Sequence, residues 1–138
     1  MSYKLGIVGS RVWNPKITNP QQHAFTKLDK YVAKHGKPSL VISGGARGAD
    51  TYGVLWAQAR GIPIKEYKPS QDLVREYIRQ GNSRNFAYKK AANIRNTDIV
   101  NNSDRIVAFW DGKSTGNRDT KDKTIRLGKK FSYFNVGD

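Results

Sequence analysis

The chain has 138 residues and a formal net charge of +14, with 25 Lys and Arg against 11 Asp and Glu. The absence of cysteine excludes disulfides and thiolate metal sites. Nothing near His23 or His35 completes a ligand set, so we expect neither a metal nor a required cofactor. The positive charge favours nucleic acid, a nucleotide or another polyanion as partner, and it fits a solvated basic surface equally well.

The N-terminal part of the chain predicts a strand, a helix and a second strand. Leu5–Val8 is an apolar run that leaves no room for a signal peptide before it. No run approaches the roughly 20 apolar residues of a membrane span, so we expect a cytoplasmic protein without a membrane partner. A helix is expected to begin at the cap-like pair Asn19-Pro20 and to close at Gly36. Leu40–Ser43 is the second predicted strand.

The middle of the chain is mostly helical. A second helix is predicted from about Ala49 to Arg60, and a third strand at Ile64–Tyr67. The polar stretch that follows has one helical face, which ends at Gly81. A further helical stretch comes next, and another helix is expected to begin near Ile94 or Asn96.

The C-terminal part predicts two more strands around a helix. Arg105–Trp110 is the clearest strand of the chain, and a polar loop leads from it to a basic helix that begins after Asn117 and closes at Gly128. Phe131–Val136 is the last strand. Strands that alternate with helices predict a mainly parallel sheet of about five strands with helices on both faces, in a single three-layer α/β domain over residues 1–138.

Three polar, glycine-bearing loops follow predicted strands at their carboxyl ends, where parallel sheets bind ligands. This coincidence predicts a binding cleft. The expected ligand-binding residues of these loops are Gly9, Ser10, Arg11, Ser43, Gly44, Gly45, Ala46, Arg47, Gly48, Asp50, Asp111, Gly112, Lys113, Ser114, Thr115 and Gly116.

The second of these loops carries the strongest signal, because a strand runs through glycines into a helix. Glycine lets the backbone approach a ligand closely, and a helix start presents unpaired N–H groups that suit phosphate. The alternative is a tight turn that serves packing only. Arg47 is expected to grip phosphate or to point into solvent. Asp50 is expected to hydrogen-bond a ribose hydroxyl or to brace the loop.

Three residues outside the loops complete the predicted site. Arg95 and Asn96 are expected to begin a helix aimed at the cleft, with Asn96 as a ligand-binding residue or, in the structural alternative, the N-cap, and Arg95 as an anion ligand or a loop brace. Trp13 follows the first loop and is a candidate for base stacking, with partly buried packing as the alternative. The segment Lys113–Asn117 is either a second phosphate-binding lip or a solvated loop.

Four stretches of the chain, in order, resemble the SLOG superfamily of Rossmann-like domains, in particular its small members related to YspA and YpsA. They are Gly-Ser-Arg after the first strand, Ser-Gly-Gly-Ala-Arg-Gly-Ala-Asp after the second, Ile94-Arg95-Asn96, and Ile106–Gly112 with Ser114 and Gly116. The second loop also resembles the DNA-processing protein DprA. The resemblance implies a Rossmann-like fold, a nucleotide-derived ligand and a homo-oligomer. Small basic members similar to this chain also occur in phage genomes.

The resemblance leaves three functions open. The favoured one is a binding protein that holds a nucleotide or a nucleotide-derived signal as a sensor, a carrier or a sequestering protein. The second is an enzyme that cleaves an N-glycosidic bond, with Asp50 or Asp111 as its carboxylate. The third is a binder of single-stranded nucleic acid, which would use the basic helix and the aromatic residues Trp13, Tyr67 and Tyr88.

The third loop argues against the enzyme. In the phosphoribohydrolase relatives the corresponding loop resembles Pro-Gly-Gly-x-Gly-Thr followed by a glutamate. Here Asp111–Asn117 contains no proline, and no glutamate follows Glu76. General acid catalysis at a sugar carbon needs a carboxylate with a tuned pKa. Nothing in the sequence singles out Asp119 or Asp122 for that role, so the sequence favours a protein without catalytic activity.

Overall fold

The centre of the protein is a parallel sheet with helices on both faces. A computed structural model describes residues 2–45 and 48–137, and in that part of the chain the sheet has five strands. The strands are β1 (Lys4–Gly9), β2 (Leu40–Ser43), β3 (Ile64–Glu66), β4 (Arg105–Trp110) and β5 (Lys130–Asn135). The helices are α1 (Pro20–His35), α2 (Ala49–Ala59), α3 (Gln71–Arg79), α4 (Arg84–Asn102) and α5 (Thr115–Arg126).

The strand order explains where a ligand would bind. The sheet runs β3-β2-β1-β4-β5, and each neighbouring pair is parallel. The chain first winds outward from β1 to β3 and then returns through α3 and α4 to β4, on the other side of β1. The winding therefore reverses between β1 and β4, and a crevice is expected beyond the carboxyl ends of these two strands. The predicted Rossmann-like α/β fold with about five strands is confirmed.

Two apolar clusters hold the three layers together. The larger lies between the sheet and the helices α1 and α2, and contains Leu5, Ile7 and Trp56 with no exposed surface. Gly53 lets α2 lie directly on β1, because a Cβ there would sit 2.7 Å from Cγ2 of Ile7. The second cluster, on the opposite face, joins Ile106 and neighbouring strand residues to Ile99 of α4.

Several local predictions are confirmed at the residue level. The Asn19 side chain accepts a hydrogen bond from the Gln22 amide at 3.0 Å, and Pro20 begins α1. Gly36 ends that helix with its N–H bonded to the Val32 carbonyl. Strands β2 and β4 have the predicted bounds.

The predicted break in the long helical region is wrong. Helix α4 continues without interruption from Arg84 to Asn102, and the Ser83 hydroxyl caps its start by accepting from the Phe86 amide at 3.2 Å. Asn96 therefore lies in the helix interior and is not an N-cap. The sequence divided this helix in two because α4 contacts α3, the sheet and α5. Its apolar residues therefore lie on several faces, and no single periodic pattern indicates one continuous helix.

Helix α5 also begins earlier than expected. It starts at Thr115, so Gly116 and Asn117 belong to its first turn and not to a loop. Within the described ranges no helix is long and apolar enough to cross a membrane.

Helices α3 and α4 form a hairpin outside the main sheet. Val74 of α3 packs against Ala87 and Ala91 of α4, with Leu73 and Tyr77 at the edge of this small cluster. The hairpin is formed by the polar stretch that the sequence predicted as helical on both sides of Gly81, and it places the first turns of α4 beside the crevice.

Candidate functional site

A cleft of about 430 Å³ opens beyond the carboxyl ends of β1 and β4, where the winding of the sheet reverses. Its walls come from the loop after β1, from α4, and from the loop after β4 with the first turns of α5. The predicted site residues that line this cleft are Gly9, Ser10, Arg11, Asp50, Arg95, Asn96, Asp111, Ser114, Thr115 and Gly116.

The glycine-rich loop after β2 contributes less than predicted. Ala46 and Arg47 lie outside the described residues. The described members that do not line the cleft are Ser43, Gly44, Gly45 and Gly48, and from the loop after β4 Gly112 and Lys113. Lys113 instead borders a smaller recess of about 180 Å³, which shares Val12 and Asp111 with the cleft.

Arg95 connects the second loop to the cleft. Its Nη1 donates to the Gly44 carbonyl oxygen at 2.7 Å, and its Nε donates to Oδ1 of Asn96 at 3.0 Å. Burial lowers the pKa of Arg95, an effect that Asp50 and Tyr88 oppose and the positive charge of Arg11 reinforces. An arginine keeps its charge in proteins, so the cleft wall carries a second cation close to Arg11.

Two of the described glycines of the second loop, Gly44 and Gly48, are needed for close packing. A Cβ on Gly44 would lie 2.7 Å from Nη1 of Arg95 and 2.8 Å from Oδ2 of Asp50. Gly48 has a φ of +77°, and a Cβ there would lie 2.6 Å from the Ser10 carbonyl oxygen. These contacts give both glycines a packing role. The phosphate cradle expected from this loop stays a prediction.

Trp13 is packed inside the protein, which argues against the base stacking for which the sequence made it a candidate. Only 8% of it is exposed, and its ring stacks on Phe109 with the centroids 5.3 Å apart. Tyr52 meets it edge-on at 5.2 Å. The indole Nε1 donates to the Ser10 carbonyl oxygen at 2.8 Å. Trp13 therefore supports the first loop from behind, which is the packing role that the sequence left as the alternative.

Asp111 fixes the turn after β4. Its Oδ1 accepts from the backbone amides of Lys113 at 2.9 Å and Ser114 at 2.8 Å, and its own amide donates to the Ser10 hydroxyl at 3.1 Å. Partial burial acts to raise the pKa of Asp111, but these hydrogen bonds outweigh it, and the pKa lies below its ordinary value. Asp111 is thus an ionised structural acceptor and a poor general acid at neutral pH.

The N-terminus of α5 opens into the cleft. Ser114 stands at the cap position, but its hydroxyl accepts from Nδ2 of Asn117 at 3.1 Å and makes no capping hydrogen bond within the described part of the chain. The first N–H groups of a helix have no partner inside the helix and carry a partial positive charge. Since Thr115, Gly116 and Asn117 line the cleft, this end of α5 adds to its positive character.

Asn96 joins α4 to α5 from inside the protein. Its Nδ2 donates to Oδ2 of Asp119 at 3.3 Å and lies 3.5 Å from the Gly116 carbonyl oxygen. Lys123 donates to the same Asp119 carboxylate at 2.8 Å. Asn96, with 6% exposure, is a structural tether, and the Asp119 carboxylate is held by two partners.

The sequence missed part of the cleft wall. It indicated two lining residues, Tyr88 and Asn117, only as a stacking candidate for a single strand and as part of the possible phosphate-binding lip. The lining residues that it did not single out at all are Val8, Val12, Lys89, Ala92, Asn93, Ile99 and Thr120. Positions 88, 92, 95, 96 and 99 share one face of a continuous helix by the spacing of three and four residues. That signal was available, but the predicted break near Ile94 hid it.

The basic helix offers fewer free cations than its composition suggests. Lys123 donates to the Asn93 carbonyl oxygen at 2.7 Å, and Lys129, just beyond α5, donates to the Val100 carbonyl oxygen at 2.7 Å. Lys121 lies 5.6 Å from the centre of the Trp110 ring. Several lysines in and just beyond α5 are therefore engaged in contacts within the chain and are less available to a ligand.

Comparisons with known proteins agree with the fold. Residues 7–73 match the model of the YspA, cpYpsA-related SLOG family, which confirms the resemblance predicted from the sequence. A solved structure of DNA processing protein A from Helicobacter pylori, a protein that binds single-stranded DNA, superposes with a TM-score of 0.64 at 22% identity. The superposition covers 98% of this chain and 68% of that one. No curated protein matches the chain.

Proposed function

We propose that this chain, whose residues 7–73 match the SLOG family, binds a phosphate-bearing nucleotide or nucleotide-derived ligand in the cleft. It would act as a sensor, a carrier or a sequestering protein. The observation that carries this proposal is the convergence of Arg11, Arg95 and the N-terminus of α5 on one cavity of about 430 Å³. That volume lies within the range typical of small-molecule sites.

The phosphate is expected at the α5 end of the cleft. The first turn of α5, with its backbone N–H groups, lines the same cleft as Arg11 and Arg95, and N–H groups and guanidinium groups are both good donors to a phosphate oxygen. Arg95 is held in place by the Gly44 carbonyl, so little side-chain freedom is lost when it binds an anion.

The described carboxylates give little support to N-glycosidic cleavage. Asp111 is held ionised by backbone amides, and Asp119 is paired with Lys123 and Asn96. A general acid for a departing base needs a raised pKa. Asp50 remains the carboxylate in the cleft to test, by following intact nucleoside monophosphates during long incubation with concentrated protein.

Two measurements test the binding proposal. Mass spectrometry should detect a nucleotide derivative released when the wild-type protein, purified at high salt, is denatured, and the variant with Arg11→Ala and Arg95→Ala should release none. Calorimetric titration with nucleoside mono-, di- and triphosphates should find a ligand that binds with one-to-one stoichiometry and is recovered unchanged. Arg79→Ala is the matched control, because it removes an exposed arginine of α3 outside the cleft. A protein that binds nothing in this panel would contradict the proposal.

A second candidate function is binding of single-stranded nucleic acid. The observation in its favour is the start of α4, where Phe86 and Tyr88 are 43% and 41% exposed beside Lys89 and Lys90. Exposed aromatic rings and cations together suit a single strand. A short oligonucleotide should then bind at physiological salt, with an affinity that falls steeply as salt rises. Binding that vanishes at physiological salt would reduce this function to non-specific attraction.

We also propose that the protein is a homo-oligomer and that it lies in the cytoplasm. Sedimentation equilibrium tests the first: a mass of one chain at all concentrations would contradict it. Fractionation of cells that express the protein tests the second.

A further inference from the structure

Two exposed apolar side chains face the mouth of the cleft. Val12, in the loop after β1, is 80% exposed, and Tyr88, in the first turns of α4, is 41% exposed. A single exposed apolar residue is ordinary on a protein surface. These two line the same cavity from different elements, however, and the rest of its lining is largely polar or charged.

The face of α4 that lines the cleft carries an aromatic ring near the start of the helix and a cation about two turns further along. Tyr88 and Arg95 are seven residues apart, which is roughly 10 Å along a helix axis. Ala92 lies between them on the same face, and its small side chain leaves the space above the helix open. A nucleotide has the same order of groups, with a flat base at one end, a sugar in the middle and a phosphate at the other.

We propose that Tyr88 and Val12 form a base clamp, in which the planar base of the ligand lies between the phenol ring and the valine side chain. The inference rests on the proposed function, because it assumes that the phosphate occupies the α5 end of the cleft. Aromatic and apolar side chains on the two faces of a base are a recurrent way to hold it. The clamp selects ligands with an aromatic base over bare sugar phosphates, and it discriminates weakly among bases because each base has a π-face.

The test compares ligands with and without a base. The four nucleoside 5′-monophosphates and ribose 5-phosphate are titrated into the wild type and into Tyr88→Leu, Tyr88→Phe and Val12→Ser. Tyr133→Leu is the matched control, because Tyr133 is a 53% exposed tyrosine on β5 that does not line the cleft. Melting curves establish that each variant is folded.

The clamp predicts that Tyr88→Leu weakens nucleotide binding by about 5- to 150-fold, the range of one stacking contact, and leaves the affinity for ribose 5-phosphate unchanged. Tyr88→Phe and Tyr133→Leu should bind like the wild type, and Val12→Ser should show a smaller loss. Equal losses for both ligand types, or no loss, would overturn the clamp while the binding proposal stands. A wild type that binds neither ligand type would overturn both.

Discussion

Nη1 of Arg95 donates to the carbonyl oxygen of Gly44 at 2.7 Å, across 51 positions of the sequence. This bond ties the middle of α4 to the loop after β2, and it holds the guanidinium at the cleft wall beside Asp50. One side chain thus has a structural role and a proposed binding role, and the two can be separated by experiment.

Arg95→Ala is expected to lower both stability and affinity. It removes a hydrogen bond from a charged donor, which typically contributes about 1.5–3 kcal/mol to the free energy of unfolding, and it removes a cation from the cleft. Urea denaturation measures the first effect and calorimetric titration the second. Arg95→Lys should keep part of the affinity but less of the stability, since an ammonium lacks the fork that reaches Gly44 and Asn96 together. A stable Arg95→Ala variant with wild-type affinity would contradict both roles.

Gly48→Ala is expected to destabilise the protein by about 1–3 kcal/mol or more. The residue has a φ of +77° and a ψ of −123°, a backbone conformation outside the left-handed helical region that glycine alone adopts readily and that costs an L-residue about 1–3 kcal/mol. The new methyl would also crowd the Ser10 carbonyl oxygen. Gly116→Ala is the matched control, because nothing lies within 4 Å of a Cβ there and the position is helical. Thermal melting should show a lower Tm for the first variant and an equal or higher Tm for the second. The opposite order would contradict the packing role of Gly48.

Trp13→Phe is expected to cost stability without changing base recognition. The phenyl ring can still stack on Phe109, but the hydrogen bond from Nε1 to the Ser10 carbonyl is lost. The expected loss is about 1 kcal/mol from the bond, measured by urea denaturation. The ratio of nucleotide to ribose 5-phosphate affinity should stay at the wild-type value. A fall in that ratio would restore the stacking role that the burial of Trp13 argues against.

The strands and two of the three loops of the cleft could be read from the sequence because their signals are local. Arg105–Trp110 is a continuous apolar run bounded by polar residues, and the structure has the same strand. Asn19 before Pro20 has the chemistry of a helix start, and it caps α1. In both cases a short segment contains all the information that its conformation requires.

The errors concern contacts made by residues far apart in sequence. Asn96 has the residue type of an N-cap, but its partners are Asp119 and the first turn of α5, which no local pattern reveals. Trp13 is covered by Phe109, which stands 96 positions away on β4. The cleft face that begins at Tyr88 could be found only once α4 was known to be continuous.

Acid is expected to weaken the contact between α1 and α2. A hydrogen bond from Arg60 to Asp29 lowers the pKa of this carboxyl group, against partial desolvation and with help from Nε1 of Trp56. Because the folded-state pKa lies below the ordinary value of 3.8, the stabilisation is present above that pH and is lost as the pH falls through the folded-state pKa. Asp29→Asn should therefore lose stability near neutral pH and approach the wild type in acid.

Asp29→Ala is a second variant for this prediction, because the indole of Trp56 also donates to the Asp29 carboxylate. The donor, Nε1, lies 2.9 Å from Oδ1 of Asp29, and Trp56 is fully buried. Asp29→Ala leaves this donor without its partner and should cost about 1–3 kcal/mol, more than Asp29→Asn, which keeps an acceptor oxygen. Urea denaturation across the acidic range measures all three proteins. Parallel stability curves for the wild type and Asp29→Asn would show that the Asp29 charge contributes nothing.

The most direct test of the binding site is a titration that follows the backbone amides by nuclear magnetic resonance. Each of the four nucleoside 5′-monophosphates is added to ¹⁵N-labelled protein at physiological salt. The largest amide shifts are expected at Ser10 and Arg11 in the loop after β1 and at Thr115–Asn117 in the first turn of α5, the parts of the cleft where the phosphate is expected. Shifts confined to the outer basic face of α5, or no shifts with any of the four, would contradict a nucleotide site in the cleft.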